Sequence, residues 1–195
     1  SGTLPIEAAL IATNRAPGLT RSYFGFLGWG QHDADLWARL ITEARGLCRA
    51  HPTPGVVIHG SDQDMRAVLA ARESSKRAGV DSVVSFERLT LSRVRPTSAT
   101  GLILVNPPYG ERLGDVDTLR ALYQELGAVL KERFDGWKAG VFTGNPALAR
   151  ELGIDARRRH HLFNGPIEAQ LLRFDIGAEP VSYTHLRAHE TDSYL

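Results

Sequence analysis

The residues best suited to chemistry are Asn106, Pro107, Pro108 and Tyr109, which end the apolar run "GLILVN" inside the stretch "LILVNPPYGERLGD". Asn106 precedes a proline, so its backbone is pushed toward extended geometry, and each proline fixes its own φ and lacks an N–H donor. The motif therefore presents a rigid pair of acceptors, the Asn106 side-chain oxygen and the Pro107 carbonyl, beside the face of Tyr109. A planar ligand bearing an amino group suits such a cluster. The exocyclic NH₂ of a nucleobase is a poor nucleophile because its lone pair is delocalised into the ring. Two acceptors that take both of its hydrogens favour a pyramidal nitrogen whose lone pair can face an electrophile. Charge-assisted hydrogen bonds contribute about 1.5–3 kcal/mol each, a stacked base about 1–3 kcal/mol, and alignment up to roughly 7–11 kcal/mol. The plainer reading is a strand-terminating turn, since Asn followed by Pro is ordinary turn chemistry.

The elements that must position this motif follow from periodicity. Residues 3–14 predict a helix, and "RAPGLTRSYFGFLGWGQHD" (15–33) a long connection rich in Gly and aromatics. A second helix follows, capped by Asp33 or Asp35 and carrying Leu36, Trp37, Leu40, Ile41, Ala44 and Leu47 at helical spacing until "HPTPG" ends it. "VVIHGSD" (56–62) predicts a strand, 63–79 a helix closed by Gly79, and "DSVVSFERL" another strand. "GLILVN" (101–106) is apolar throughout, the pattern of a strand covered on both faces. A helix over 118–134, a strand in "WKAGVFTG" and a short helix in "NPALARELG" come next. In "RRRHHLFNGPIEAQLLRFDI", Asn164-Gly165 predicts a tight hairpin with positive φ at both positions. Strand and helix alternate and close on an antiparallel hairpin, which predicts an open α/β sheet with a mixed edge. Ligands of such sheets sit at the carboxyl ends of the strands, where Asn106 falls.

Composition narrows the alternatives. The 195 residues are 43% hydrophobic, enough for one well-buried domain. Lys plus Arg number 23 against 22 Asp plus Glu, so any contact with nucleic acid must be local rather than a broad basic field. Cys48 is the one cysteine, and no Cys/His spacing resembles a zinc site, so the expectation is a reducing compartment, the cytoplasm, and no metal. No apolar run approaches the roughly 20 residues that span a bilayer, so no membrane is expected. The chain opens on "SGTLPIEAALIA", a helix start whose apolar residues need a strand to pack on. At the other end, "PVSYTHLRAHET" (180–191) has neither helical nor strand periodicity and resembles the translation of a transposase-type sequencing adapter; a polar disordered tail is the alternative.

Together, "SGTLPIEAALIA", "GSDQD", "LILVNPPYGERLGD" and "NGPIEAQLLRFDI" resemble the class I S-adenosylmethionine-dependent methyltransferases, closest to the large-subunit (23S) ribosomal RNA guanine-N2 methyltransferases. Other domains of that family include a THUMP RNA-binding domain. Asn-Pro-Pro-Tyr is shared with adenine-N6 and glutamine-N5 enzymes, so it specifies amino-methylation better than substrate; the "GERLGD" extension and the insert around "GFLGW" point to guanine N2. The resemblance implies a Rossmann-like methyltransferase fold over residues 1–176, a mostly parallel sheet with an antiparallel C-terminal hairpin. It also implies that the first strand and most of the glycine-rich loop are missing, and leaves residues 177–195 as a non-native or disordered tail. Asn106, Pro107, Pro108 and Tyr109 match the catalytic motif. Ser1, Gly2 and Thr3 match the tail of the cofactor loop, where a helix N-terminus offers N–H donors to a carboxylate. Asp62 matches the acidic residue that binds the cofactor ribose, with helix capping as its plainer role. The family tends to carry an acidic residue near the adenine amino group, and here Thr90 stands at that position. The implied cofactor is S-adenosylmethionine, without a metal, and the implied partner is 23S rRNA or a precursor of the large ribosomal subunit. An adenine-N6 methyltransferase acting on DNA or RNA, or a non-catalytic RNA-binding fragment, are the rival readings.

Three further features carry two readings each. Arg157, Arg158, Arg159, His160 and His161 either contact RNA phosphates or form a solvated face that protects an edge strand. Tyr23, Phe24, Phe26 and Trp29 either stack on an unpaired base or pack over a helix. Arg112 either positions the motif loop or RNA, or pairs with Asp115.

Overall fold

Six strands and five α-helices alternate along the chain in a computed structural model that describes residues 2–109 and 116–177. Helix α1 (Thr3–Ala12) is followed by two short 3₁₀ turns and α2 (Ala34–Gly46), whose N-cap Asp33 accepts from the Leu36 N–H at 2.8 Å. Strand β1 (Ile58–Asp62) leads into α3 (Met65–Ala78), which is opened by Asp64 and closed by Gly79 at φ 67°. That left-handed geometry is one a glycine adopts without the Cβ clash of other residues. Strand β2 (Val84–Arg88) pairs with β1 in parallel, Ile58 opposite Val84 through Asp62 opposite Arg88.

Strand β3 (Leu102–Val105) pairs in parallel with β4 (Lys138–Thr143), with α4 (Val116–Arg133) between them in the chain. Helix α5 (Pro146–Arg150) then leads to the antiparallel hairpin of β5 (Arg158–Asn164) and β6 (Ile167–Asp175), and the second sheet runs β3-β4-β6-β5. The described strands thus fall into two sheets, each with its own apolar cluster. Ile6, Leu10, Val68, Val84 and Phe86 form the smaller one, while Tyr123, Leu130, Phe134, Val141, Leu172 and Phe174 belong to the larger. The connection after β2 ties into the larger cluster. Leu91 and Val94 pack on it, the Arg133 guanidinium donates to the Ser92 carbonyl at 2.6 Å, and the Trp137 indole donates to the Ser98 carbonyl at 3.0 Å.

Two expectations are corrected. Strand β3 is covered on one face: Ile103 and Val105 pack on the larger cluster, whereas Leu102 and Leu104 are 60% and 44% exposed. Side chains alternate across a strand, so Leu102 and Leu104 share the open face. The hairpin turn is also displaced by one residue. Asn164 pairs with Ile167 as the last residue of β5, so Gly165 and Pro166 make the turn, with φ 59° at Gly165 alone. Pro166 explains the difference, because its ring fixes a negative φ and selects a turn with positive φ only at its first central position. Of the aromatic connection, Phe24 and Phe26 lie 5.4 Å apart and edge-on to Trp37 of α2, which supports packing for those two, while Tyr23 and Trp29 are exposed. Arg112, Asp115, Ser1 and the tail after Gly177 lie outside the described residues.

Candidate active site

The sequence-predicted residues that the structure describes fall in two groups: Asn106 to Tyr109 follow the carboxyl end of β3, while Asp62 ends β1, Thr90 lies beyond β2, and Gly2 and Thr3 open α1. The first is built on β3 and β4. Asn106 leaves β3 one residue beyond the last ladder pair, Val105 with Val141, and is exposed; Pro107 is buried, and Pro108 and Tyr109 are half-buried. Asn106 is thus open to solvent while Pro107 packs inward, each proline holding its own φ.

Tyr109 is held from three sides. Its ring lies edge-on to Phe142 of β4, with centroids 6.4 Å apart and planes at 77°. Its hydroxyl accepts from the Asn164 Nδ2 at 2.8 Å, so the hairpin that follows β4 steers the ring. Its edge lies over Gly144, where a Cβ would come within 2.7 Å of Cε2 and 2.9 Å of Cδ2. Only a residue without a side chain lets the ring lie there. Beneath this, the buried Tyr123 hydroxyl of α4 and Thr143 Oγ1 of β4 are hydrogen-bonded at 2.8 Å, and Thr143 Oγ1 accepts from the Asn145 N–H at 3.2 Å. Burial pushes the Tyr123 hydroxyl above its ordinary pKa, the Thr143 bond opposing. Asn145 caps α5 by accepting from the Ala147 and Leu148 N–H groups at 3.0 and 3.1 Å. Thr143 and Asn145, on either side of Gly144, are thereby held.

The second group is built on β1 and β2. Asp62 ends β1; its Oδ1 accepts from the Asp64 N–H at 2.9 Å, and its carbonyl accepts from the Leu89 N–H at 3.1 Å. The carboxylate is exposed and oriented by a backbone turn. Helix capping falls to Asp64, which accepts from the Arg66 N–H at 2.9 Å and whose carboxyl is held below its ordinary pKa by the Arg66 side chain. The plainer role considered for Asp62 thus belongs to its neighbour. Thr90 lies two residues beyond β2, exposed, its hydroxyl 3.1 Å from the Ser92 hydroxyl. Gly2 caps α1 at φ 68°, and a Cβ there would meet Ala71 of α3 and come within 3.1 Å of Phe86. Gly60 in β1 is equally close to Pro5 and Phe86, at 2.9 Å each. These glycines bring the α1 N-terminus down against β1 and β2. The Ile6 N–H donates to the Gly2 carbonyl at 3.1 Å, and the N-terminal turn of α1 lies against the strand that Asp62 ends.

Gly144, Phe142, Asn164, Tyr123 and Thr143 were missed by sequence reasoning. Asn164 read only as a turn residue, and nothing local marks a residue that reaches Tyr109 from 55 positions away. Among the described residues, no cluster of three or more His, Cys, Asp or Glu could hold a metal, and no helix is long and apolar enough to cross a membrane.

The helices and the mixed strand ladders are those of an α/β methyltransferase fold. The chain belongs to the RMKL-like methyltransferase domain family, whose sequence profile matches residues 1–173. It is 49% identical over 183 residues to a ribosomal RNA large subunit methyltransferase K/L of Syntrophotalea carbinolica and 48% identical over 184 residues to that of Methylococcus capsulatus. Each match covers 92% of this chain but only 26% and 24% of the relative, so the chain spans about a quarter of their length. Among solved structures, SMU.472, a putative methyltransferase complexed with SAH, superposes with a TM-score of 0.80 at 29% identity, over 91% of this chain and 46% of that one. A predicted N6-adenine-specific DNA methylase from Listeria monocytogenes superposes with a TM-score of 0.77 at 31% identity, over 89% and 44%.

Proposed function

We propose that this chain is the catalytic domain of an rRNA methyltransferase that transfers a methyl group from S-adenosylmethionine to the N2 amino group of a guanine in 23S rRNA. The observation that carries the reading is Tyr109, fixed by Phe142, Gly144 and Asn164 beside the exposed Asn106 at the end of β3. The names of the curated relatives support rRNA as substrate, and the SAH complex of SMU.472 supports the cofactor. Such a substrate puts the enzyme in the cytoplasm with precursors of the large ribosomal subunit.

Gly2, Thr3, Asp62 and Thr90 would hold the cofactor, which when bound supplies an electrophilic sulfonium methyl. The target guanine is unstacked from its RNA and enters the corner between β3 and β4. Tyr109 presents a ring already locked at both its edge and its hydroxyl, so stacking the base requires little further ordering. Asn106 Oδ1 and the Pro107 carbonyl accept the two N2 hydrogens and turn the nitrogen lone pair toward the methyl group. As the N–C bond formed, the sulfonium S–CH₃ bond would break and release S-adenosylhomocysteine, and the lost N–H proton would pass to water, which the exposed Asn106 leaves beside the nitrogen. Alignment of this kind supplies up to roughly 7–11 kcal/mol of the barrier reduction.

The resemblance to an enzyme described as acting on adenine N6 supports a second reading, methylation of adenine in DNA or RNA. Incubation of the complete gene product with tritiated S-adenosylmethionine and unmodified 23S rRNA tests the first: label should enter the RNA. A parallel incubation with DNA, and digestion of both products to nucleosides, tests the second: N6-methyladenosine in place of N2-methylguanosine would transfer the case to it.

A further inference from the structure

The hairpin carries a feature that the methyl-transfer site does not use. At the end of the sheet opposite Tyr109, Lys138, Arg157, Arg158, Arg173 and Asp175 line a recess of about 280 Å³. Arg158 and Arg173 are direct cross-strand partners, and Lys138 is opposite Asp175, two residues along β6. Directly opposed residues of an antiparallel pair share a face with Cβ atoms about 4.5–5.5 Å apart, and like charges so placed are destabilising. Asp175 is engaged by Arg157, which holds its carboxyl below the usual pKa. Four cations therefore share one carboxylate, a formal charge of +3 from the five lining residues. A fold that sets two arginines opposite each other bears a repulsion that a bound anion would relieve. Since a water occupies about 30 Å³ of liquid, the recess has room for a phosphate group with its hydration.

Its position gives the anion an identity. Strand β5 starts at Arg158 in the recess and ends at Asn164, which donates to the Tyr109 hydroxyl, and all seven of its residues are exposed. At about 3.3 Å per residue the strand spans roughly 20 Å, which matches about six phosphates of a stacked strand at ~3.4 Å each. His160, on the face of Arg158, lies along the way.

We propose that β5 is a docking track for the phosphate backbone of the substrate RNA, anchored by Lys138, Arg158 and Arg173 and leading to Tyr109. The proposal rests on the rRNA reading above and assigns the basic run a partner rather than an edge-protecting role. It would also let a chain of near-zero net charge hold a polyanion, through a local excess of positive charge at one end of the second sheet.

The test uses the complete gene product and an unmodified 23S rRNA transcript, with binding measured by titration across salt concentrations and methyl transfer measured separately. Arg158→Glu and Arg173→Glu should each weaken RNA binding and raise the KM for RNA about tenfold, with kcat within about twofold. The slope of log affinity against log salt should fall by about 1 to 2. The thermal midpoint should hold or rise, because each new carboxylate faces an arginine, a readout that a merely structural role would move the other way. Arg77→Glu, an equal charge change on α3, should leave KM and slope unchanged. Wild-type slope and KM in both hairpin variants would overturn the proposal, as would a loss of kcat without a change in binding. Wild-type protein that binds this RNA as described but transfers no methyl group would leave the track standing and remove the methylation reading. Transfer by all variants with equal KM would do the reverse.

Discussion

Replacing Gly144 with alanine tests whether the placement of Tyr109 sets the rate. A Cβ at position 144 would come within 2.7 Å of Tyr109 Cε2, and ordinary contact begins at 3.4 Å, so the ring must move by at least 0.7 Å or the β4 end must yield. Yielding is opposed, because Thr143 is bonded to Tyr123 and Asn145 caps α5. Moving the ring also strains the bond from Asn164. A misplacement of about 1 Å can cost on the order of 10²-fold in rate, so Gly144→Ala should lower single-turnover methyl transfer by roughly 10- to 100-fold. Overpacking of this size costs about 1–3 kcal/mol, and at about 2–4 °C per kcal/mol the chain should remain folded at assay temperature. The assay is single-turnover transfer from labelled S-adenosylmethionine to unmodified 23S rRNA, paired with a melting curve. Wild-type transfer by a folded Gly144→Ala protein would show that Tyr109 is free to move without consequence, and the positioning argument would fail.

Other perturbations should separate the parts of the site. Asn164→Ala removes a neutral hydrogen bond to Tyr109 and should slow transfer several-fold, in line with about 1 kcal/mol, as read by the same single-turnover assay. Asp62→Ala should weaken S-adenosylmethionine binding by calorimetric titration while leaving the melting temperature within about 2 °C, since the exposed carboxylate supports only a turn. Tyr123→Phe should destabilise the chain by about 1–2 kcal/mol, measured by urea unfolding, because Thr143 loses its buried partner. Tyr123 also predicts alkaline sensitivity. Its pKa is raised on folding, so its contribution is fully present below the ordinary tyrosine value near 10 and is lost as pH rises through the higher folded value. Melting temperature should therefore fall more steeply above about pH 10 in the wild type than in Tyr123→Phe.

Much of this arrangement was legible in the sequence because the signals are local. Asp33, with Asp35 as its alternative, and Gly79 read as caps because capping is settled within one turn of chain, and Asp33 opens α2 and Gly79 closes α3. Asn106 could be placed at a strand's carboxyl end because an apolar run followed by two prolines can hardly continue a ladder. Sequence failed where the decisive neighbour is distant. The apolar run of β3 predicted burial on both faces, yet what covers a face is decided by elements elsewhere, and Leu102 and Leu104 are left open. Asn164-Gly165 predicted its own turn, but Pro166 shifted the turn by one residue and left Asn164 in the strand, where it reaches Tyr109. Gly144 carries no signal until Tyr109 is seen lying over it.

The central claim is that Asn106, beside a locked Tyr109, orients an exocyclic amine for methylation. The most direct measurement is nucleoside analysis of 23S rRNA after incubation with S-adenosylmethionine and either wild-type or Asn106→Ala gene product, with cofactor binding and melting temperature measured alongside. The wild type should give N2-methylguanosine, and a variant that folds and binds cofactor normally a yield lower by at least about 10²-fold, the combined effect of a lost acceptor and lost alignment. Equal yields from the two proteins, or N6-methyladenosine in place of N2-methylguanosine, would contradict it.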